Sequence, residues 1–227
     1  MGIIETLLPT FTKEGMWELL WNETWATLQM VFIPGIFIFV FGLLVGVILV
    51  VTKKGGILEN LIIWNILDKL VNLFRAIPFL ILIILLIPTT RSIMGTAIGI
   101  KGAIFPLTIG TIPFFARQVE STLSELDYGL IEASISMGDS PFQTILRVFL
   151  KESVPGLIRA TTITLISLIG YVAMAGSVGA GGLGNMAIQY GYVHQKMDVV
   201  YMIVVIILVI ITLIQSIGDF LADKTTH

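Results

Sequence analysis

Few residues in this chain could do chemistry, and their types and spacing narrow what that chemistry is. Gly179-Ala180-Gly181-Gly182-Leu183-Gly184 satisfies the G-x-G-x-x-G pattern of a dinucleotide-phosphate loop. Such a loop needs a strand before it, a helix after it and an acidic residue about 20 positions on. Here an uncharged run precedes it, and Asp198 follows Gly184 by only 14 residues. The glycines read instead as a flexible outer loop where backbones approach closely, with Gly181 a candidate gate residue at the outer end of a pathway. There are 0 cysteines, which removes disulfides, thiol catalysis and Cys-based metal sites. His194 and His227 have no neighbours at metal-ligand spacing, so both read as solvated and no metal is expected. No nucleophile–base constellation emerges, and no cofactor is expected. The chain does not read as an enzyme. It has no G-x-x-x-x-G-K-[ST] phosphate loop, so any ATP must be bound by a partner.

The elements that hold these residues are set by composition. The 227 residues are 56% apolar and 12% charged, with a mean hydropathy of +0.98. Soluble domains carry about 25% charged residues, so lipid must supply much of the solvent. The net charge of -2 and the lack of a basic run give no reason to expect nucleic acid. Glu5, Glu14, Glu18 and Glu23 against Lys13 do not make the cationic start of a cleaved signal peptide.

Backbone groups in hydrocarbon must be satisfied within helices or closed barrels, and long apolar runs without alternation select helices. Five spans are expected, near 26–51, 69–90, 98–120, 156–178 and 198–219, in a single transmembrane domain covering 1–227. Trp21 and Trp25 suit an interfacial aromatic belt, and Lys53 and Lys54 close the first span. The stretch from Gly55 to Asp68 reads as a candidate interfacial helix. Pro78 and Pro88 in the second span, and Pro106 and Pro113 in the third, are either packing kinks or marks of a pathway wall. On the fourth span Tyr171, Met174 and Ser177 are candidates to narrow a pore, although a membrane methionine also serves plain packing.

With the N-terminus outside, Lys53, Lys54, Lys69, Arg75, Arg117, Arg147, Lys151, Arg159 and Lys224 fall inside. Only Lys13, Arg91, Lys101 and Lys196 then fall outside. This bias favours a cytoplasmic C-terminus. No internal repeat is visible, and five spans make a poor pore by themselves, so a homodimer with the pathway on its two-fold axis is expected.

The inner loop 121–155 is longer than a connection needs, and it predicts two helices with a turn between them. Leu130, Ala133, Ser134 and Met137 fall at helical spacing, and Gly138 suits the position past a helix end. Ser140-Pro141-Phe142-Gln143 reads as a capping box with proline at the first helical position. Ile145, Leu146, Phe149 and Leu150 supply the apolar face of the second helix. The pair either lies on the membrane or docks a cytoplasmic partner. For docking, Ala133, Ser134 and Gly138 would permit close approach and Glu132 would supply a charged contact.

Glu132-Ala133-Ser134, three residues and then Gly138 resembles the EAA motif of ABC-importer permeases. In that family the motif marks the coupling helix, seated in a cleft of the ATP-hydrolysing subunit. The family pattern ends in an Ile-x-Leu-Pro element, whereas this chain has Val148-Phe149-Leu150-Lys151, with Pro155 four residues later as the candidate helix starter. Asn72-Leu73-Phe74-Arg75-Ala76-Ile77-Pro78-Phe79, Pro106-Leu107-Thr108-Ile109-Gly110, the run from Gly176 to Gly184, and Gln189-Tyr190-Gly191-Tyr192 resemble the methionine-importer permeases of the binding-protein-dependent ABC family. The resemblance spans about Trp25 to Asp219. It implies an all-α, type I importer permease of five spans with a cytoplasmic coupling helix–turn–helix. Glu132, Ala133, Ser134, Met137 and Gly138 would form the ATPase-docking surface. It also implies a homodimer in the bacterial inner membrane, two cytoplasmic ATP-binding subunits and an extracytoplasmic methionine-binding lipoprotein. Nothing in the residues themselves shows methionine, so a permease for another amino acid or small solute is the alternative. An ion-coupled secondary transporter fits less well, because the centres of all five expected spans lack Asp, Glu and His. A membrane scaffold would also suit the long structured loop.

Overall fold

Residues 8–225 are described by the structure, a computed structural model. Two residues weighed above, Glu5 and His227, lie outside that range. Among the described residues there is no strand, and the chain forms ten α-helices. These are α1 (Met16–Thr52), α2 (Leu61–Ala76), α3 (Phe79–Leu85), α4 (Ile87–Met94), α5 (Gly99–Ser124), α6 (Tyr128–Ser136), α7 (Pro141–Thr144), α8 (Val154–Gly176), α9 (Gly182–Met186) and α10 (Met197–Thr225). A 3₁₀ turn, Pro9–Thr12, precedes α1, and π-helical turns continue α7 over Ile145–Leu150 and α9 over Ala187–Val193. Helices α1, α5, α8 and α10 are each long and apolar enough to cross a membrane.

The expected second span, near 69–90, is not one helix. Chain from Leu61 to Met94 is divided into α2, α3 and α4. Asn60 starts α2 by accepting from the Ile62 and Ile63 amides, at 3.2 Å each. The helix stops at Ile77, which is extended at φ -80°, ψ 122°. The ring of Pro78 crowds the residue before it out of the α region, which accounts for the stop. Pro106 and Pro113 do not act in this way, since α5 runs through both. Helix α8 begins at Val154 with Pro155 in its first turn, where the missing amide costs nothing.

The chain falls into two compact units. The first takes the described residues through Ile36, with Pro78–Ile109 and Leu165–Ile214; the second takes Phe37–Ile77, Gly110–Thr164 and the described residues from Gln215. The chain therefore passes between units five times. Four of the passages lie inside α1, α5, α8 and α10, and the fifth is the Ile77–Pro78 break.

The first unit has an apolar core of Phe11, Met16, Leu20, Leu183, Met186, Val199 and Ile203. The 3₁₀ turn is fixed to the start of α10, where the Asp198 carboxylate accepts from the Thr10 amide at 2.7 Å and the Thr10 hydroxyl at 2.9 Å. Asp198 also sits in the first turn of α10, where a negative charge suits the helix dipole. Thr27 of α1 accepts from the buried Leu183 amide at 2.8 Å and donates to the Glu23 carbonyl at 2.9 Å. Thr27→Val keeps the shape but orphans the Leu183 amide, so we expect a loss of about 1–3 kcal/mol. Unfolding in detergent would measure it against Thr27→Ser, which retains the acceptor and should behave as wild type.

In the second unit α1 and α5 meet through glycine. A Cβ on Gly42 would lie 2.7 Å from the Phe115 ring, and one on Gly46 would lie 2.6 Å from Val119. Gly156 likewise faces Thr122, and Gly218 faces Thr162. Small residues that let backbones approach are the usual basis of helix association where lipid removes the hydrophobic driving force.

Candidate functional site

Within the second unit, α6 and α7 fold as a capped pair around a tight turn. Asp127 starts α6 by accepting from the Gly129 amide at 2.9 Å. At the other end the Met137 amide donates to the Ala133 carbonyl at 3.0 Å, and the Asp139 amide to the Ser134 carbonyl at 3.2 Å. Gly138 between them is left-handed at φ +88°, a conformation open to glycine at little cost. The capping box of Ser140 and Gln143 is complete, with Pro141 at the first helical position. The local sequence therefore accounts for both helices and the turn that joins them.

The five sequence-predicted residues of this pair divide into two faces. Glu132, Ala133, Met137 and Gly138 are exposed, with Met137 at 78%. Ile135, Leu130 and Phe142 extend the exposed surface with large apolar side chains. Ser134 is not on that surface. It is 1% exposed, and its hydroxyl donates to Asp139 Oδ2 at 2.9 Å and lies 3.1 Å from Thr144 Oγ1. The reason is helical geometry. Ser134 lies three residues past Ile131, which is also buried, so both point inward while Leu130, Ala133 and Met137 point out. Of the apolar set on the second helix, Phe149 is buried, Ile145 and Leu150 are half-buried and Leu146 is exposed.

The pathway candidates belong to the first unit. Tyr171 is half-buried and stacks on Phe79 with ring centroids 4.7 Å apart. Met174 is 48% exposed and Ser177 is exposed, and the Ser177 hydroxyl donates to the Met174 carbonyl at 2.6 Å. Gly181 is half-buried with φ +85°, and the exposed Gly179 and the buried Gly182 also have positive φ, at +91° and +79°. This glycine turn is closely packed. A Cβ on Gly182 would lie 2.8 Å from both Met30 and Thr27, and one on Gly184 would enter the Ala173 backbone. No strand precedes it, so the structural setting of a dinucleotide loop is missing. His194 is exposed and lies beside Tyr190, ring centroids 5.7 Å apart.

Three polar groupings escaped the sequence reading. Arg117 of α5 pairs with Asp68 and Glu120, and donates to Asn72 at 3.0 Å. Asp139 and Thr144 complete the Ser134 network, with Arg147 donating to Asp139 at 3.0 Å. Thr27 supports the glycine turn. Asp68 with Asn72, and Arg117 with Glu120, stand four and three residues apart, the spacing at which helix neighbours meet. That spacing was the available signal for the first grouping.

Residues 40–227 match the family described as binding-protein-dependent transport system inner membrane component. The chain is similar to a Vibrio cholerae protein described as a probable D-methionine transport system permease protein MetI, at 48% identity over 210 residues, 92% of this chain and 93% of that one. The D-methionine transport system permease protein MetI of Escherichia coli K12 is 51% identical over 164 residues, 72% of this chain and 76% of that one. Among solved structures, a chain of the MetNI methionine ABC transporter in inward-facing conformations superposes with a TM-score of 0.93 at 48% identity, covering 95% of this chain and 100% of that chain. Four helices long and apolar enough to cross a membrane, no strand among the described residues, a folded helix pair between α5 and α8, and these similarities agree: the chain belongs to the binding-protein-dependent transport system inner membrane component family and is a multi-pass membrane permease.

Proposed function

We propose that the chain is the membrane-spanning subunit of an ATP-driven importer that carries methionine, in its L and D forms, into the cytoplasm. The observation that carries the transport reading is the exposed face of α6. There Glu132, Ala133, Met137 and Gly138 stand clear of the protein on a capped, folded helix pair. Such a face serves as a docking knob for a cytoplasmic ATP-binding subunit, two copies of which would serve a homodimer of this chain. The methionine reading is supported by the names of the relatives, and the excess of Lys and Arg on one side supports an external N-terminus and a cytoplasmic C-terminus. An extracytoplasmic methionine-binding lipoprotein would present the substrate. Tyr171, Met174, Ser177 and Gly181 are the proposed pore or gate residues.

Reconstitution with the ATP-binding subunit and the binding protein tests this directly, by following labelled methionine uptake with and without ATP. Uptake driven by an ion gradient alone would refute it, and preference for a polar amino acid would replace the substrate but keep the mechanism. In the same system Glu132→Lys should lower ATP-dependent uptake by about tenfold, the scale of one reversed interfacial charge contact. Its dimer should still insert. Gly138→Trp is less clean, because any side chain at φ +88° strains the turn as well as altering the surface.

A further inference from the structure

Ser134 belongs to the motif that resembles a docking element, yet its side chain never reaches the docking face. Its hydroxyl lies under α6, 2.9 Å from Asp139 Oδ2 and 3.1 Å from Thr144 Oγ1. Thr144 is itself 0% exposed; because the Ser134 proton goes to Asp139, the single Thr144 hydroxyl proton is shared between Ser134 Oγ at 3.1 Å and the Ser140 carbonyl at 3.3 Å. The second oxygen of Asp139 accepts from Arg147 at 3.0 Å. These contacts join residues of α6, the turn, α7 and the π-helical continuation of α7. They add side-chain ties across a turn that the backbone closes with the Asp139 amide on the Ser134 carbonyl and with left-handed Gly138.

From this geometry we infer that Ser134, Thr144, Asp139 and Arg147 form an internal clasp that makes the helix pair one rigid lever, and that Ser134 and Thr144 are positioning residues for energy coupling. The inference rests on the docking role proposed for α6. A docking knob transmits displacement only if it does not pivot on its own stem. With the clasp closed, motion of α6 is passed to α7 and onward along the chain to α8, which begins at Val154. With it open, α6 can follow the ATP-binding subunit while α7 stays behind. Two properties fit this role better than a role in recognition. The hydroxyls are buried, where satisfied hydrogen bonds fix geometry firmly and an unmet one is costly. The exposed partner, Arg147, is tied by charge to the carboxylate that also receives Ser134, so the clasp is closed from outside as well.

The test uses the full permease reconstituted with its ATP-binding subunit and binding protein. Thr144→Val is close to isosteric and removes only the hydroxyl, and Thr144→Ser restores it. We expect Thr144→Val and Ser134→Ala to assemble normally and to hydrolyse ATP within about twofold of wild type. Methionine taken up per ATP should fall by about fivefold to tenfold, the population shift that follows loss of one buried hydrogen bond. Thr144→Ser should restore the ratio. An unchanged ratio in both variants overturns the clasp, and so does a parallel loss of assembly, ATPase activity and uptake, which would mark a merely structural contact. Met137→Asp serves as the separate check on docking. If it abolishes assembly while Thr144→Val leaves the ratio intact, docking stands and the clasp falls. If Met137→Asp assembles and transports as wild type, the docking reading itself falls.

Discussion

Gly46→Leu is expected to leave little folded permease in the membrane. Even a Cβ at this position would lie 2.6 Å from Val119 and 2.8 Å from the Ala116 carbonyl oxygen. The second of these is main chain, so no rotamer change relieves the clash. Ala116 and Val119 are both 0% exposed, which leaves no space beside them. One turn earlier a Cβ on Gly42 would lie 2.7 Å from the Phe115 ring, with the Ile112 carbonyl oxygen at an ordinary 3.4 Å, so α1 and α5 approach closely along two successive turns. Leucine adds three more carbons and must push the helices apart. Overpacking alone costs about 1–3 kcal/mol. Separating a helix pair also forfeits the dispersion contacts on which association in lipid depends. The expected result is loss of monodisperse protein on extraction, or a midpoint of unfolding far below wild type. Gly170→Ala is the control, since a Cβ there would meet no atom within 4 Å. Equal stability of Gly46→Leu and wild type would show that α1 and α5 do not meet in this way.

Arg117→Ala should have the next largest effect. It leaves Asp68 and Glu120, with side chains 22% and 15% exposed, facing each other without their shared cation. Removing one member of a buried ion pair costs about 3–5 kcal/mol. Water reaches all three side chains here, so about 2 kcal/mol is the reasonable figure. Arg117→Lys keeps the charge but loses the planar fork that reaches two carboxylates and Asn72 together, and should recover only part of the loss. The triple change of Arg117, Asp68 and Glu120 to Met, Leu and Gln should come closer to wild type than Arg117→Ala does, because it leaves no orphaned charge. Denaturation midpoints of the three variants in one detergent give the order. A wild-type midpoint for Arg117→Ala would mean that the cluster contributes nothing to stability.

Much of the fold was legible because lipid imposes simple rules. Uncharged runs of spanning length mark α1 and α10 without ambiguity, and Lys53 with Lys54 lies where α1 ends. The helix pair was legible for a different reason. Ser140-Pro141-Phe142-Gln143 and Gly138 are local signals whose physics is complete within a few residues. The break at Ile77 was harder. Pro78, Pro106 and Pro113 look alike in sequence, but whether a proline ends a membrane helix depends on what neighbours supply to the freed carbonyls. Ser134 shows another limit. The spacing that places Leu130, Ala133 and Met137 together is sound, yet Ser134 turns with Ile131 toward the interior, and a short polar side chain reveals no preference by itself. Contacts such as Thr10 with Asp198 and Thr27 with Leu183 join residues too far apart in sequence to leave any periodic trace.

The burial of Ser134 also has a consequence for how such chains diverge. Under the docking proposed for α6, a partner subunit that drifts in sequence can press only on what it touches, so positions 132, 133 and 137 should vary in step with the ATP-binding subunit. Position 134 answers to Thr144 and Asp139 of its own chain instead. Within one short motif, two adjacent letters would then be inherited under different constraints. Exchanging partners between distant relatives should require changes at Glu132, Ala133 or Met137, while leaving Ser134 untouched.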